Sequence, residues 1–306
     1  MRPLILLLAG VSALPGASFY LTIAGLGGEA EFEQRFSTAA KDLDKIYRQG
    51  ADVHVVTLQG AEATKAKIRA TLSDFAKEAK ADDSVVVTMI GHGSFDGADY
   101  KFAVPGPDVS ASELAAMLDG IASKRQVVVN TTSASGASLA ALEKAGRVVI
   151  TATRTGTEKN ATIFARYWVE ALRDAGADGD KNESISALEA FRYADGRTTR
   201  FYESQKRLAT EHAMLEDSGK GEAVRAPSPE NGQGLLAAQI AIVRLGSLQA
   251  SVKTPEKQKL LTKKEQLERD IDSLKYQKAA MPTEEYRKKL TALLLELAQT
   301  QEELEK

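Results

Sequence analysis

Two apolar runs constrain this chain more than anything else in it: Ser84-Val-Val-Val-Thr-Met-Ile90 and Gln126-Val-Val-Val129. Each has the length of a β-strand and is apolar almost without interruption, so each must be covered on both faces. Shorter runs at residues 19–24, 52–57 and 147–153 share this character. Between them lie helical patterns. Residues 29–49 place Phe32, Phe36, Leu43 and Ile46 on one side, residues 61–80 form a second helix, and Ser110-Ala-Ser-Glu113 has the form of a capping box opening a third. Residues 137–144 and 161–174 complete the alternation. The expected fold class is α/β, with a mostly parallel central sheet, helices on both faces and a C-terminal α-helical hairpin.

Both long runs end in residues suited to chemistry. The first leads into Gly91-His92-Gly93, an imidazole between two residues of minimal bulk. The second leads into Asn130-Thr-Thr-Ser-Ala-Ser-Gly136, a cluster of hydroxyls. Ligands and catalytic groups of open α/β sheets gather at the carboxyl ends of the strands, so a base and a nucleophile-like residue are expected at one rim. His54 falls mid-strand, where a structural imidazole is expected.

A net charge of −2 gives no basic excess for nucleic acid, and the absence of cysteine excludes disulfides, thiolate metal sites and a thiol nucleophile. Residues 1–18 read as a signal peptide, with one positive charge, a short apolar core and small residues behind it. The core is too short to span a bilayer, and no span is expected after its removal. The expectation is therefore an exported protein, periplasmic or secreted. Its parts are a leader over 1–18, an α/β domain over 19–250 and a helical extension over 251–306.

The glycine loop Gly25-Leu-Gly-Gly28 lacks GxGxxG spacing and a P-loop lysine, and reads as a strand-to-helix turn. Asp178, Asp180 and Asn182, with Glu189 at position 12, repeat the oxygen spacing of an EF-hand calcium loop. Glu183 stands where that loop normally has glycine, and a solvated turn with Ser184 or Ser186 capping the next helix is the alternative. Calcium is the one cofactor this sequence suggests. Residues 195–214 read as continuing helix, 215–221 and 226–234 as loops, and 236–245 as a last strand or a buried helix. His212 has no evident partner. From residue 251 the composition turns to Lys, Glu, Leu and Gln, and two heptad-spaced segments flank Ala279-Ala-Met-Pro-Thr283. This hairpin could close on itself, dock on the sheet, or mediate self- or partner association.

The apolar strand ending in Gly91-His92-Gly93, followed about forty residues later by one ending in a small-residue turn, resembles the caspase-fold peptidases, and most of all their legumain-like (asparaginyl endopeptidase) branch. Ser135-Gly136 matches the end of that branch's nucleophile turn, which puts Ser133 at the cysteine position. The resemblance implies a caspase-like fold, His92 as general base, Ser133 as nucleophile, and the N–H groups of Gly93 and Ser133 as oxyanion hole. The departure is chemical. A thiol, with an ordinary pKa of about 8.5, yields its proton to an imidazole readily, whereas a hydroxyl needs a base oriented by a third group. Asp96 is the nearest such acid in sequence.

Three readings follow. The chain is a catalytically silent peptidase homologue that binds peptides or partner proteins; a working hydrolase using Ser133, or else Thr132 or Ser135, with His92 as base; or a structural module that assembles through its hairpin. The missing thiol favours the first.

Overall fold

The computed structural model describes residues 16–245 and 254–305. The leader expectation falls mainly on residues 1–15, outside the described residues. Six strands form one sheet: β1 (Ser18–Ala24), β2 (Val53–Leu58), β3 (Ser84–Ile90), β7 (Arg125–Asn130), β8 (Arg147–Thr151) and β10 (Met214–Glu216). Their order is β10-β8-β7-β3-β1-β2, with only β10 antiparallel to its neighbour. Helices α1 (Ala30–Tyr47), α5 (Phe164–Ala171) and α6 (Ala187–Ser204) cover one face, in a core with Tyr47, Val86, Val127 and Trp168. Helices α2 (Lys65–Glu78), α3 (Ala111–Asp119) and α4 (Leu139–Leu142) serve the other, with Ile68, Phe75, Val87 and Val128. Because side chains alternate across a strand, Val86 and Val87 enter different cores, so the central runs had to be continuously apolar.

The capping box is complete. The Ser110 hydroxyl accepts from the Glu113 amide at 3.2 Å, and the Glu113 carboxylate accepts from the Ser110 amide at 3.0 Å. Other expectations are corrected. Helix α6 ends at Ser204, and the following chain returns to supply β10 as the sheet's edge. Residues 100–108 are not merely loop: β5 (Tyr100–Phe102) pairs antiparallel with β4 (Gly93–Phe95) and β6 (Val109–Ser110). Residues 236–245 hold both elements weighed for them, the end of α7 (Leu235–Gln239) and then β11 (Ala241–Arg244), which pairs with β9 (Ser184–Ser186). Segments of two to five residues are too short to display a period, which is why the pattern passes over them.

Helices α8 (Pro255–Gln277) and α9 (Thr283–Glu305) form the hairpin. Helix α8 buries Leu261, Leu267, Ile271 and Leu274. It is tied to the α/β domain where Arg244 Nε donates to Glu265 at 2.8 Å, Lys264 Nζ to the Asn182 carbonyl at 2.6 Å and the Tyr276 hydroxyl to the Gln233 carbonyl at 2.8 Å.

The largest polar side chain in the core is Arg147, 1% exposed. It donates to Gln126 Oε1, to the Leu142 carbonyl and to Asp119 Oδ1 at 2.9, 2.9 and 2.7 Å, joining β7, β8, α3 and α4. Arg147→Ala leaves Gln126 Oε1 and the Leu142 carbonyl without this donor, leaves Asp119 with Lys144 alone, and should lower stability by about 3 kcal/mol. Urea denaturation followed by circular dichroism measures the loss.

Candidate active site

Parallel pairing of β3 with β7 sets Met89 beside Asn130, so the two strands run out side by side at their carboxyl ends. Gly91-His92-Gly93 and the 131–136 turn leave the sheet there, and Gly93 meets Ser133. The Ser133 hydroxyl donates to the Gly93 carbonyl at 2.9 Å and accepts from the Gly93 amide at 3.1 Å. Glycine is required by this approach: a Cβ on residue 93 would lie 2.4 Å from the Ser133 carbonyl oxygen and 2.6 Å from Thr132 Oγ1. Gly136 is similarly confined, where a Cβ would meet the backbone of Arg154 and Thr155 at 2.3–2.4 Å. Between them Ala134 adopts φ +54°, a left-handed conformation costly for a residue with a Cβ. Its amide donates to the Glu158 carbonyl at 2.8 Å.

The structure brings the His92 and Ser133 segments to one rim but gives their side chains different partners. His92 Nε2 is 3.2 Å from the Gly27 carbonyl oxygen, and the ring packs edge-on against Phe32 and Phe36 of α1, with centroids at 4.8 and 5.2 Å. Among the described residues no hydrogen bond joins the imidazole to Ser133. Of the expected oxyanion donors, the Gly93 amide is engaged by the Ser133 hydroxyl itself. The other hydroxyls of the turn are buried and engaged. Thr132 donates to Asn130 Oδ1 at 2.8 Å and contacts the Tyr100 hydroxyl at 2.6 Å, while Ser135 lies 3.1 Å from Thr153 Oγ1. Asp96 does not orient His92. It accepts from the amides of Asp99 and Ala98 in the β4–β5 turn and pairs with Lys101, contacts that hold its carboxyl well below the usual carboxylate range.

Some of the residues organising this rim were not singled out by sequence. Glu158 accepts the Ala134 amide through its carbonyl, while its carboxylate receives the amides of Arg154 and His212 and meets Nδ1 of His212. His212 therefore has a partner, 54 residues away in sequence, and it ties the segment before β10 to the turn. The glycine loop supplies the carbonyl that faces His92. Only the excess of glycine in that loop hinted at close packing.

Beside the rim a cavity of about 960 Å³ opens between α1 and α5, lined by Phe36, Ile90, Gly91, Thr131, Ile163 and Phe201 among others. Most of the surface it exposes is apolar, but Asp42, Arg166 and Glu170 also line it, and Arg35 stands at the same place with its guanidinium on the Thr162 carbonyl.

The second candidate site lies elsewhere. Carboxylate oxygens of Asp178, Asp180 and Glu189 fall within 4.8 Å of one another, and Asn182 donates its amide to both aspartates. Glu183, at the position where EF-hands use glycine, takes φ +67°. Ser186 caps α6 in a box with Glu189. Desolvation within the loop, and then the charge of Glu189, push the carboxyl of the exposed Asp180 up to about 6.

His54, in the middle of edge strand β2, is exposed and stacks on Phe19 with ring centroids at 4.3 Å.

No family model matches the chain, and no curated protein matches it. Solved structures similar to it include a Geobacter sulfurreducens protein, with TM-score 0.47 and 12% identity over 71% of this chain and 96% of that one. Caspase-1 from Spodoptera frugiperda gives 0.43 and 11% over 67% and 88%. A secreted C11 cysteine protease from Bacteroides thetaiotaomicron gives 0.41 and 11% over 67% of each.

Gly93→Ala should cost about 3 kcal/mol, because the added methyl meets backbone that cannot withdraw. Ser133→Ala should cost only about 1–2 kcal/mol, the loss of one hydroxyl from two backbone contacts. Paired chemical denaturation curves check the order; equal losses would mean that the turn is not packed on Gly93 as described.

Proposed function

We propose that the protein is an exported homologue of the caspase-fold peptidases that binds peptides or protein segments at this rim and does not turn them over. One observation carries the proposal: the hydroxyl at the nucleophile position is engaged by both backbone groups of Gly93, while the imidazole is held by Gly27 and two phenyl rings. A serine nucleophile needs its base within hydrogen-bond reach and a third group to orient that base. The legumain-like ancestry belongs to the same proposal and rests on the Gly91-His92-Gly93 and Ser135-Gly136 motifs. The cavity between α1 and α5 offers a place for a side chain of the bound segment.

The test combines labelling, turnover and binding. A fluorophosphonate probe should leave Ser133 unmodified, and a peptide library should be recovered intact. Peptides selected from that library for binding should lose at least tenfold in affinity to Ala39→Arg, whose long side chain fills the cavity. Labelling of Ser133 that disappears in His92→Ala would instead make the protein a serine hydrolase.

Calcium at the Asp178 loop is the second part of the proposal, supported by the loop spacing and by the gathering of three carboxylates. Asp178, Asp180, Asn182 and Glu189 would hold the ion, and its work would be to steady the loop between α5 and α6. Because the folded Asp180 value lies above its ordinary 3.8, the native loop retains a proton that the unfolded chain releases. Without a cation, this contribution to stability falls as pH rises from about 4 through 6. Calcium replaces that proton, so its affinity should rise over the same interval. Calorimetric titrations at pH 5 and pH 7 should show markedly tighter binding at pH 7, reduced by Asp180→Asn; no heat at either pH would remove calcium from the account.

A further inference from the structure

At the opposite end of the sheet from His92 and Ser133, a cavity of about 1200 Å³ lies between the amino ends of β1, β3 and β7 and helix α8. Strands of six or seven residues, at about 3.3 Å each, separate the two ends by roughly 20 Å. Arg125 enters this cavity from β7, Arg244 from β11 and Arg269 from α8.

The charges of the cavity do not cancel locally. Among its acids, Asp42 pairs with Arg173, Glu265 with Arg244, Glu268 with Lys264 and Asp272 with Lys275, which leaves Asp82 outside any ion pair among the described residues. On the cationic side, Arg125 and Arg269 are both half-buried and neither is paired with a carboxylate among the described residues. Arg125 gives one Nη2 hydrogen to the Gln239 carbonyl at 2.7 Å, and Arg269 donates to the Gln266 side chain of its own helix at 2.8 and 3.3 Å. Gln239 brings the two together, since its side chain donates to the Arg269 carbonyl at 3.2 Å. Burial first and then the nearby charge of Arg269 lower the Arg125 value, while Glu265 and Asp82 act on it in the opposite sense. Exposed Lys45 and Lys259 add positive charge at the rim.

A guanidinium presents several N–H groups in one plane, matched to the oxygens of a carboxylate or a phosphate. We infer that this cavity binds a small multivalent oxyanion, gripped by Arg125 from the sheet and Arg269 from the hairpin, with Arg244 and Glu265 closing its side. The ligand would span the two parts of the chain, so binding would fasten α8 onto the sheet. This site is independent of the peptidase-like rim, and its test does not depend on that assignment.

The experiment uses the full chain, with pyrophosphate as the phosphate probe and citrate as the carboxylate probe, against sodium chloride at matched ionic strength. Calorimetry should detect saturable binding of at least one probe, and the tighter of the two identifies the chemistry. Arg125→Gln and Arg269→Gln should each weaken it at least tenfold, while Lys289→Gln on α9 should leave it unchanged. Should Arg125→Gln fail to fold, Arg269→Gln, placed on a helix surface, decides alone. Hydrogen exchange should show residues 255–277 more protected when the probe is bound. Absence of saturable binding by both probes, binding indifferent to Arg269→Gln, or binding without added protection of 255–277 would each overturn the inference.

Discussion

The close approach of Gly93 to Ser133 is the contact on which the candidate active site depends. It requires two parallel strands in register, a glycine just beyond the end of one and a tightly wound turn after the other. The register follows from valine-rich runs that pack helices on both faces. The glycine is needed because any Cβ would collide with the turn, and the turn is held by Ala134 in a left-handed conformation and by the Glu158 carbonyl. Once these are in place, the serine hydroxyl has both groups of a peptide unit within reach. Its one O–H donor is spent on the scaffold rather than on the imidazole.

Chemistry follows from that allocation. A base helps a hydroxyl only when it can take the proton during attack, and that needs a short contact and a fixed ring. The His92 ring is indeed fixed, but by phenyl rings and a backbone carbonyl. The acid nearest in sequence, Asp96, serves a turn instead. The rim therefore places an imidazole and a hydroxyl near one another, beside a cavity, without joining them.

The long apolar strands, the helix faces and the capping box at Ser110 could be read from sequence because each carries its cause within a few residues: continuous burial, a 3.6-residue period, or a serine three before a glutamate. The rim could be placed for the same reason, since the ends of two such strands fix where His92 and Ser133 emerge. What could not be read depends on partners far along the chain. Glu158 and His212 meet across 54 residues, Gly27 reaches His92 across 65, and β10 joins the sheet from a stretch that looks like helix continuing from α6. Nothing in the local pattern of these segments records their neighbours. The hairpin was evident as two helices, yet its contacts through Lys264, Glu265 and Tyr276 required coordinates.

The central claim is that the imidazole of His92 and the hydroxyl of Ser133 are not coupled. Long-range proton–nitrogen correlation spectra of the His92 ring, recorded across pH in the native protein and in Ser133→Ala, test it directly. The account predicts ring nitrogen shifts and a titration curve unchanged by the substitution. A displaced titration or a changed tautomer in Ser133→Ala would mean that the two groups share a proton, and the assignment of a silent site would be wrong.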